Sequence, residues 1–401
     1  MALNQTPYLF TQIAQFIDRK YFEYLVNLYD GNRYVKYFSC WNQLMVLVWA
    51  QLTTRRSLRD IVGSLTIHRN KLYRLGMGRT VTRSTLSEAN ANRDVSIFRE
   101  LAFRMMKKVS NINIIDDNLQ TIAQTFKLSG FFAVDSSTIQ LNKTLYDWST
   151  PKQGYGGIKI HALFDLLRYV PALVMVTGHE EGDQIFMEDY PYAEGCFYVF
   201  DKCYVKPRSL AYINRGNAYF VVRRKSDLDI EVIKDNSVSQ ESNVLADQII
   251  LFKGSKAKKG YDRPLRMITY YSQDKNETFV FLTNNTEIQP YIIAYLYLRR
   301  WDIEQFFRWV KQHLYIQDFY GRSVNAVCIQ IYVAVIAYCI ICLIADQYNV
   351  KASRYELMRC LGTALFEKRY LSDVIAQMRC GEFDSYDCMN IQGMKSLFDE
   401  K

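Results

Sequence analysis

"GFFAVDSSTIQL", residues 130–141, is apolar from Phe131 to Val134 and meets its first acid at Asp135. A strand that stays apolar to its last residue buries its body in a sheet and leaves that residue at the edge, where ligands bind. "GGIKIHALFDL" (156–166) and "RYVPALVMVTG" (168–178) read as the second and third strands of a meander. A polar helical stretch is expected around 183–192. "CFYVFDKCY" (196–204) is then another buried strand stopping at an acid, Asp201. "KPRSLAYINRG" (206–216) has the pattern of a helix with Gly216 just past its end, and "AYFVVRR" (218–224) that of a fifth strand. Three strands, helix, strand, helix, strand is an α/β order.

The flanks differ from this centre. Residues 224–285 turn β-rich in "DIEVI", "DQIILFKG", "PLRMITYYS" and "ETFVFLTN", a β-rich insertion at about 224–285. Residues 1–127 carry helical spacing, with short basic helices expected in "SLRDIVGSL", "HRNKLYRLG" and "TRSTLSEANANRDVSIFRELAFRMMKKV", and an N-cap at Ser84 or Thr85 before Glu88. The chain of 401 residues is long enough for two or three domains. The expected division is a helical basic domain at 1–127, an α/β domain at 128–322, and a helical C-terminal region at 323–401 that supplies core and dimer contacts. "VCIQIYVAVIAYCIICLIA" (327–345) has the length of a membrane span. Gln330, Tyr332 and Tyr338 interrupt it, and a buried helix of a large core is expected instead. Nine scattered Cys and no opening signal peptide point to a reducing cytoplasm; Cys339 and Cys342 are expected in the core.

The net charge is +9, and residues 54–108 alone hold thirteen Lys or Arg against four acids. A local excess of that kind suits a polyanion, nucleic acid first; the alternative is a solvated basic face.

"YLYLRRWDIEQFFRWVKQHL" (295–314) places one carboxylate among cations. Wound as one helix, it sets Tyr297, Arg300, Glu304, Arg308 and Lys311 within an arc of about 80°, beside an apolar stripe of Ile303, Phe307, Val310 and Leu314. Asp302 falls roughly 140° from Tyr297 and is not expected to join them. Taken alone the helix is a surface element with i,i+4 pairs. With two strand-end Asp upstream, Glu304 completes a possible cluster with Asp135 and Asp201. Three carboxylates in one place repel and raise their own pKa values unless a cation neutralises them. Mg²⁺ accepts such ligands, with Mn²⁺ a substitute. Two metals about 3.5–4 Å apart can activate water or a 3′-hydroxyl and stabilise the leaving oxygen of a phosphodiester. Lys311, Arg300 and Arg308 could then hold DNA phosphates, and Tyr297 a phosphate or a base.

These residues resemble the DDE transposases of bacterial insertion sequences, in the branch with the Y-(2)-R-(3)-E-(6)-K signature (insertion sequence family four). Tyr297, Arg300, Glu304 and Lys311 match that spacing at every position, and "AVDSSTIQL" and "YVFDKCYVKPRSLAYINRGNAYFVVRRK" match the strand motifs around Asp135 and Asp201. The likeness covers roughly residues 130–320 well and the basic N-terminal part loosely. It implies an RNase H-like catalytic core with a β-rich insertion, catalytic and metal-binding Asp135, Asp201 and Glu304, and DNA contacts from Tyr297, Arg300 and Lys311. It also implies Mg²⁺-dependent cut-and-paste transposition of double-stranded element ends by a homodimer, at the nucleoid in the bacterial cytoplasm. One departure is visible: Cys203, Tyr204 and Lys206 stand where a small residue, Tyr and an acid are expected. The family uses a Trp in or near the insertion to stabilise a flipped base; no Trp lies between 149 and 300, and none is assigned. His161, His179 and His313 are read as packing residues, not metal ligands. Two alternatives keep the same residues: a DNA-binding repressor without catalysis, and a nuclease without strand transfer.

Overall fold

The computed structural model describes residues 6–380 except 142–144, 147, 149–155, 179–186, 188–189, 205, 239–242, 255–258, 315–318 and 351. Most of the helical stretch expected at 183–192, and His179, therefore lie outside the described residues.

Strands β1 (Gly130–Leu141), β2 (Gly156–Asp165), β3 (Val170–Gly178), β4 (Cys196–Phe200), β5 (Tyr219–Arg223), β6 (Ile230–Asp235), β7 (Val244–Phe252), β8 (Leu265–Ser272) and β9 (Glu277–Thr283) form one mixed sheet. Its order is β3-β2-β1-β4-β5-β9-β8-β7-β6. Helices α1 (Leu9–Ala14), α2 (Arg19–Leu28), α3 (Cys40–Leu52), α4 (Leu58–Ile67), α5 (Arg83–Asn92), α6 (Val95–Val109) and α7 (Asp117–Phe126) precede the sheet. Helix α8 (Pro207–Arg215) joins β4 to β5, and α9 (Pro290–Leu298) and α10 (Trp301–Leu314) follow β9. Helices α11 (Val324–Gln347), α12 (Arg354–Ala364) and α13 (Leu371–Cys380) come last. The chain divides into two compact units, Met106–Gln312 and Met1–Met105 with His313–Lys401.

The sheet unit is ordered by burial. β1, β4 and β5 are parallel neighbours, and all five β4 residues are buried, as a strand covered on both faces must be. β2 returns antiparallel beside β1. The β-rich insertion is a four-strand antiparallel meander that continues the same sheet, joined where β9 pairs with β5. A bidentate ion pair, Arg266 to Asp247 at 2.8 Å for both bonds, is buried inside that meander.

The helical unit is discontinuous in sequence. Helix α11 is the membrane-length segment, and 94% of its most apolar window is buried inside the protein; it packs against α3, α5 and α12. Helix α12 comes so close to α3 that a Cβ on Gly362 would stand 2.5 Å from the Leu52 carbonyl oxygen, a contact only glycine permits. Two local expectations are corrected. "HRNKLYRLG" is a run of turns rather than a helix, closing at Gly76 with φ +77°. The cap of α5 is Thr82, whose hydroxyl accepts the Thr85 N–H at 3.2 Å, so neither Ser84 nor Thr85 is the N-cap.

Candidate active site

In the parallel register of β1 and β4, Val134 stands opposite Phe200. The residues that follow this pair are Asp135 and Asp201, so two acids come side by side. β4 ends just before Asp201, but β1 continues through Asp135 to Leu141 along β2, so Asp135 is not at the expected strand end. Asp135 Oδ1 accepts the Ser136 N–H at 2.8 Å.

The third acid arrives from the other side of the chain, though not on the single helix expected over 295–314. That segment is two helices with a joint at Arg299 and Arg300. At the joint the backbone tightens to i→i−3 hydrogen bonds: Arg300 N–H donates to Tyr297 C=O at 3.0 Å, Asp302 to Arg299 at 3.0 Å, and Ile303 to Arg300 at 3.2 Å. Two consecutive buried arginines are thereby each given their own carboxylates. Arg300 donates to Asp135 Oδ2 at 3.2 Å and to Glu304 Oε1 at 2.8 Å. Arg299 donates to Asp116 at 2.9 Å and to Asp302 at 2.8 Å.

Tyr297, at the end of α9, points its hydroxyl at Asp201 Oδ1, 3.5 Å away. Its ring packs on Phe281 with centroids 4.5 Å apart and is only 3% exposed, so its hydroxyl and not its face is offered to the site. Asp135, Asp201, Glu304, Arg300 and Tyr297 thus come together. Arg308 and Lys311 do not join this contact network; both are exposed further along α10. The expected apolar stripe is observed at Ile303, Phe307 and Val310, all buried. His161 is buried on β2 and pairs through Nε2 with Thr177 at 2.9 Å.

Burial pushes the Asp135 carboxyl up to about 6; the Arg300 guanidinium and the Ser136 N–H oppose this, while Glu304 and Asp201 add to it. Burial also raises the Tyr297 phenol, to about 12. Among the described residues no three His, Cys, Asp or Glu side chains stand as a ready metal cage, because the Arg300 guanidinium lies between Asp135 and Glu304. The donor chemistry nevertheless fits a hard cation: the Asp135 carboxyl is buried and faces the like charges of Glu304 and Asp201, which raise its pKa and which a cation would relieve.

Several neighbours are not evident in the motif. Lys275, in the β8–β9 turn, places its ammonium 3.9 Å from the centroid of the Trp301 ring. The cage around Arg299 also includes the Tyr295 hydroxyl at 2.8 Å and the Tyr169 hydroxyl. The Arg299–Asp302 spacing of three was visible in the sequence; the Asp116 contact, from the N-cap of α7, was not.

The Transposase DDE domain family matches residues 127–340, and a domain of unknown function (DUF4372) matches residues 5–78. The chain is 28% identical over 292 residues to a protein named as transposase y4zB in Sinorhizobium fredii, covering 72% of this chain and 79% of that one. It is 24% identical over 314 residues to the protein named as transposase of insertion sequence element IS4SA in Synechocystis, covering 76% and 84%. Among solved structures it is similar to the piggyBac transposase synaptic complex with hairpin DNA, with a TM-score of 0.42 and 13% identity over 94% of this chain and 83% of that one. With Asp135 and Asp201 side by side and more than half its length matched, the chain belongs to the Transposase DDE domain family.

Proposed function

We propose that the protein cleaves the ends of its own insertion sequence and joins them to target DNA, in cut-and-paste fashion, with Asp135, Asp201 and Glu304 as the catalytic acids. The observation that carries this is the convergence of three acids from β1, β4 and α10 on Arg300 and Tyr297. The order β3-β2-β1-β4-β5 with β2 antiparallel supports an RNase H-like core. Asp135, Asp201 and Glu304 would hold Mg²⁺, two ions being the expected number and Mn²⁺ a substitute. Such ions supply activation of water or a 3′-hydroxyl and stabilisation of the leaving oxygen.

The chain's own residues do the rest. Tyr297 orients Asp201 through its buried hydroxyl. Arg300, now neutralising Asp135 and Glu304, is in place to turn to a phosphate once those acids have another cation. Arg308 and Lys311, exposed on the same helix as Glu304, hold the phosphates of double-stranded DNA. The protein acts as a homodimer, at the nucleoid in the bacterial cytoplasm.

The test is Mg²⁺-dependent cleavage of a duplex carrying the element end. Asp135→Ala, Asp201→Ala and Glu304→Ala should each abolish it while DNA binding persists. Near wild-type cleavage by one variant would remove that residue from the site. Wild-type protein that binds without cutting would instead be a DNA-binding factor, and cutting without joining in a strand-transfer assay would make it a nuclease.

A further inference from the structure

Between the loop after α2 and the start of α5, the helical unit has a cleft of about 1020 Å³. Tyr34 and Tyr37 project from the loop with 88% and 75% of their surface exposed. Each has a guanidinium over its ring: Arg33 lies 5.1 Å from the Tyr34 centroid, and Arg79 lies 5.6 Å from that of Tyr37. Lys36 is exposed on the same loop, and Arg83 is exposed at the start of α5. Among the described residues none of these four cations is engaged in an ion pair.

Tethers hold the loop. Gly31 N–H donates to Val26 C=O at 2.8 Å, and the Asn32 side chain accepts the Cys40 N–H at 2.8 Å. A Cβ on Gly31 would meet Ile97 at 2.5 Å, so the loop base is seated against the core. Tyr34 itself sits at φ +59°, a conformation costly for a bulky residue and found where function repays it.

We infer that this loop and the segment from Arg79 to Arg83 form a grip on the backbone of duplex DNA. Arginine and lysine take phosphate oxygens, and the tyrosine faces pack on deoxyribose, a ligand that is polyanionic and apolar at once. Asp30, Glu88 and Asp94 line the same cleft, so net charge does not carry the assignment; the paired rings and guanidiniums do. The inference rests on the transposase reading above and identifies where the N-terminal region would hold its DNA.

The test uses the full chain and fluorescence anisotropy over a salt series, with two labelled duplexes: one bearing the terminal repeat that flanks the gene, one of random sequence. Arg33→Ala/Arg79→Ala should weaken both about tenfold or more and lower the slope of log K against log salt by about two, since each phosphate contact contributes about 0.9. Tyr34→Ala should weaken binding several-fold with the slope unchanged. Lys234→Ala/Lys253→Ala, which removes two exposed cations outside the basic stretch, should leave the slope nearly as in wild type. An Arg33→Ala/Arg79→Ala variant that binds like wild type overturns the grip. So does an equal fall in slope from the Lys234/Lys253 control, which would make the effect one of total charge. Wild-type protein that binds neither duplex would bring down the transposase reading itself.

Discussion

Asp302→Ala separates what holds α10 in place from what it does. Asp302 is on the same helix turn as Glu304, but its side chain is 16% exposed and bonded to Arg299 at 2.8 Å. Removing one partner of a buried ion pair costs about 3–5 kcal/mol, because the other charge is stranded. Arg299 is 10% exposed and keeps Asp116 at 2.9 Å together with the Tyr295 hydroxyl, so a loss nearer about 2–3 kcal/mol is expected. For a unit of roughly 200 residues that lowers the melting temperature by about 5–10 °C. The assay is thermal unfolding of the full chain, followed by cleavage measured well below the transition. Cleavage should stay on the wild-type order, since Asp302 pairs with Arg299 and not with the Asp135 cluster. An unchanged melting temperature would refute the reasoning, showing that the Arg299 cage is not built as described. A normal melting temperature with lost cleavage would move Asp302 into the site.

Two further outcomes are expected. The raised Asp135 pKa means the folded protein binds that proton more tightly than the unfolded chain, so this stability is present below pH 3.8 and lost as pH rises through about 6. In metal-free buffer Asp135→Asn should therefore gain on wild type by up to roughly 3 kcal/mol between pH 4 and 7, read from denaturant melts; a constant difference across that range would refute it. Lys311→Ala should leave the melting temperature unchanged, because Lys311 is exposed, yet lower end-complex formation or cleavage about ten- to hundredfold, the value of one charge-assisted phosphate contact. Matching losses of stability and activity would return Lys311 to a structural role.

The central strands were legible because their apolar runs stop abruptly at Asp135 and Asp201; β4 does end there, whereas β1 runs on to Leu141 because β2 pairs with it beyond the acid, a partner the apolar run does not reveal. The insertion strands were legible for the same reason, short β-branched and aromatic runs between polar turns. The joint at Arg299 and Arg300 was not: helical periodicity continues through it, and only long-range partners, Asp135 for one arginine and Asp116 for the other, reveal that the backbone must tighten there. Asp302 looked like a bystander because its angle on an ideal helix says nothing of a carboxylate or arginine brought in from elsewhere. Tyr297 had the right spacing, but nothing in its neighbours announced that Phe281 would cover its ring. The shared core of α3, α5 and α11 was hidden too, since periodicity shows that a segment is buried but not what buries it.

That shared core sets a timetable for synthesis. Helix α3 ends at Leu52 and α11 ends at Gln347, so nearly three hundred residues leave the ribosome between them. Until α11 emerges, the face of α3 that packs against it has no permanent partner, and closing so long a loop is slow. The sheet unit, by contrast, draws on one continuous stretch from Met106 to Gln312 and has its whole core available earlier. A chain cut short before α11, by a frameshift or a premature stop, carries every acid of the candidate site yet leaves α3 uncovered, an aggregation-prone product instead of a smaller working enzyme.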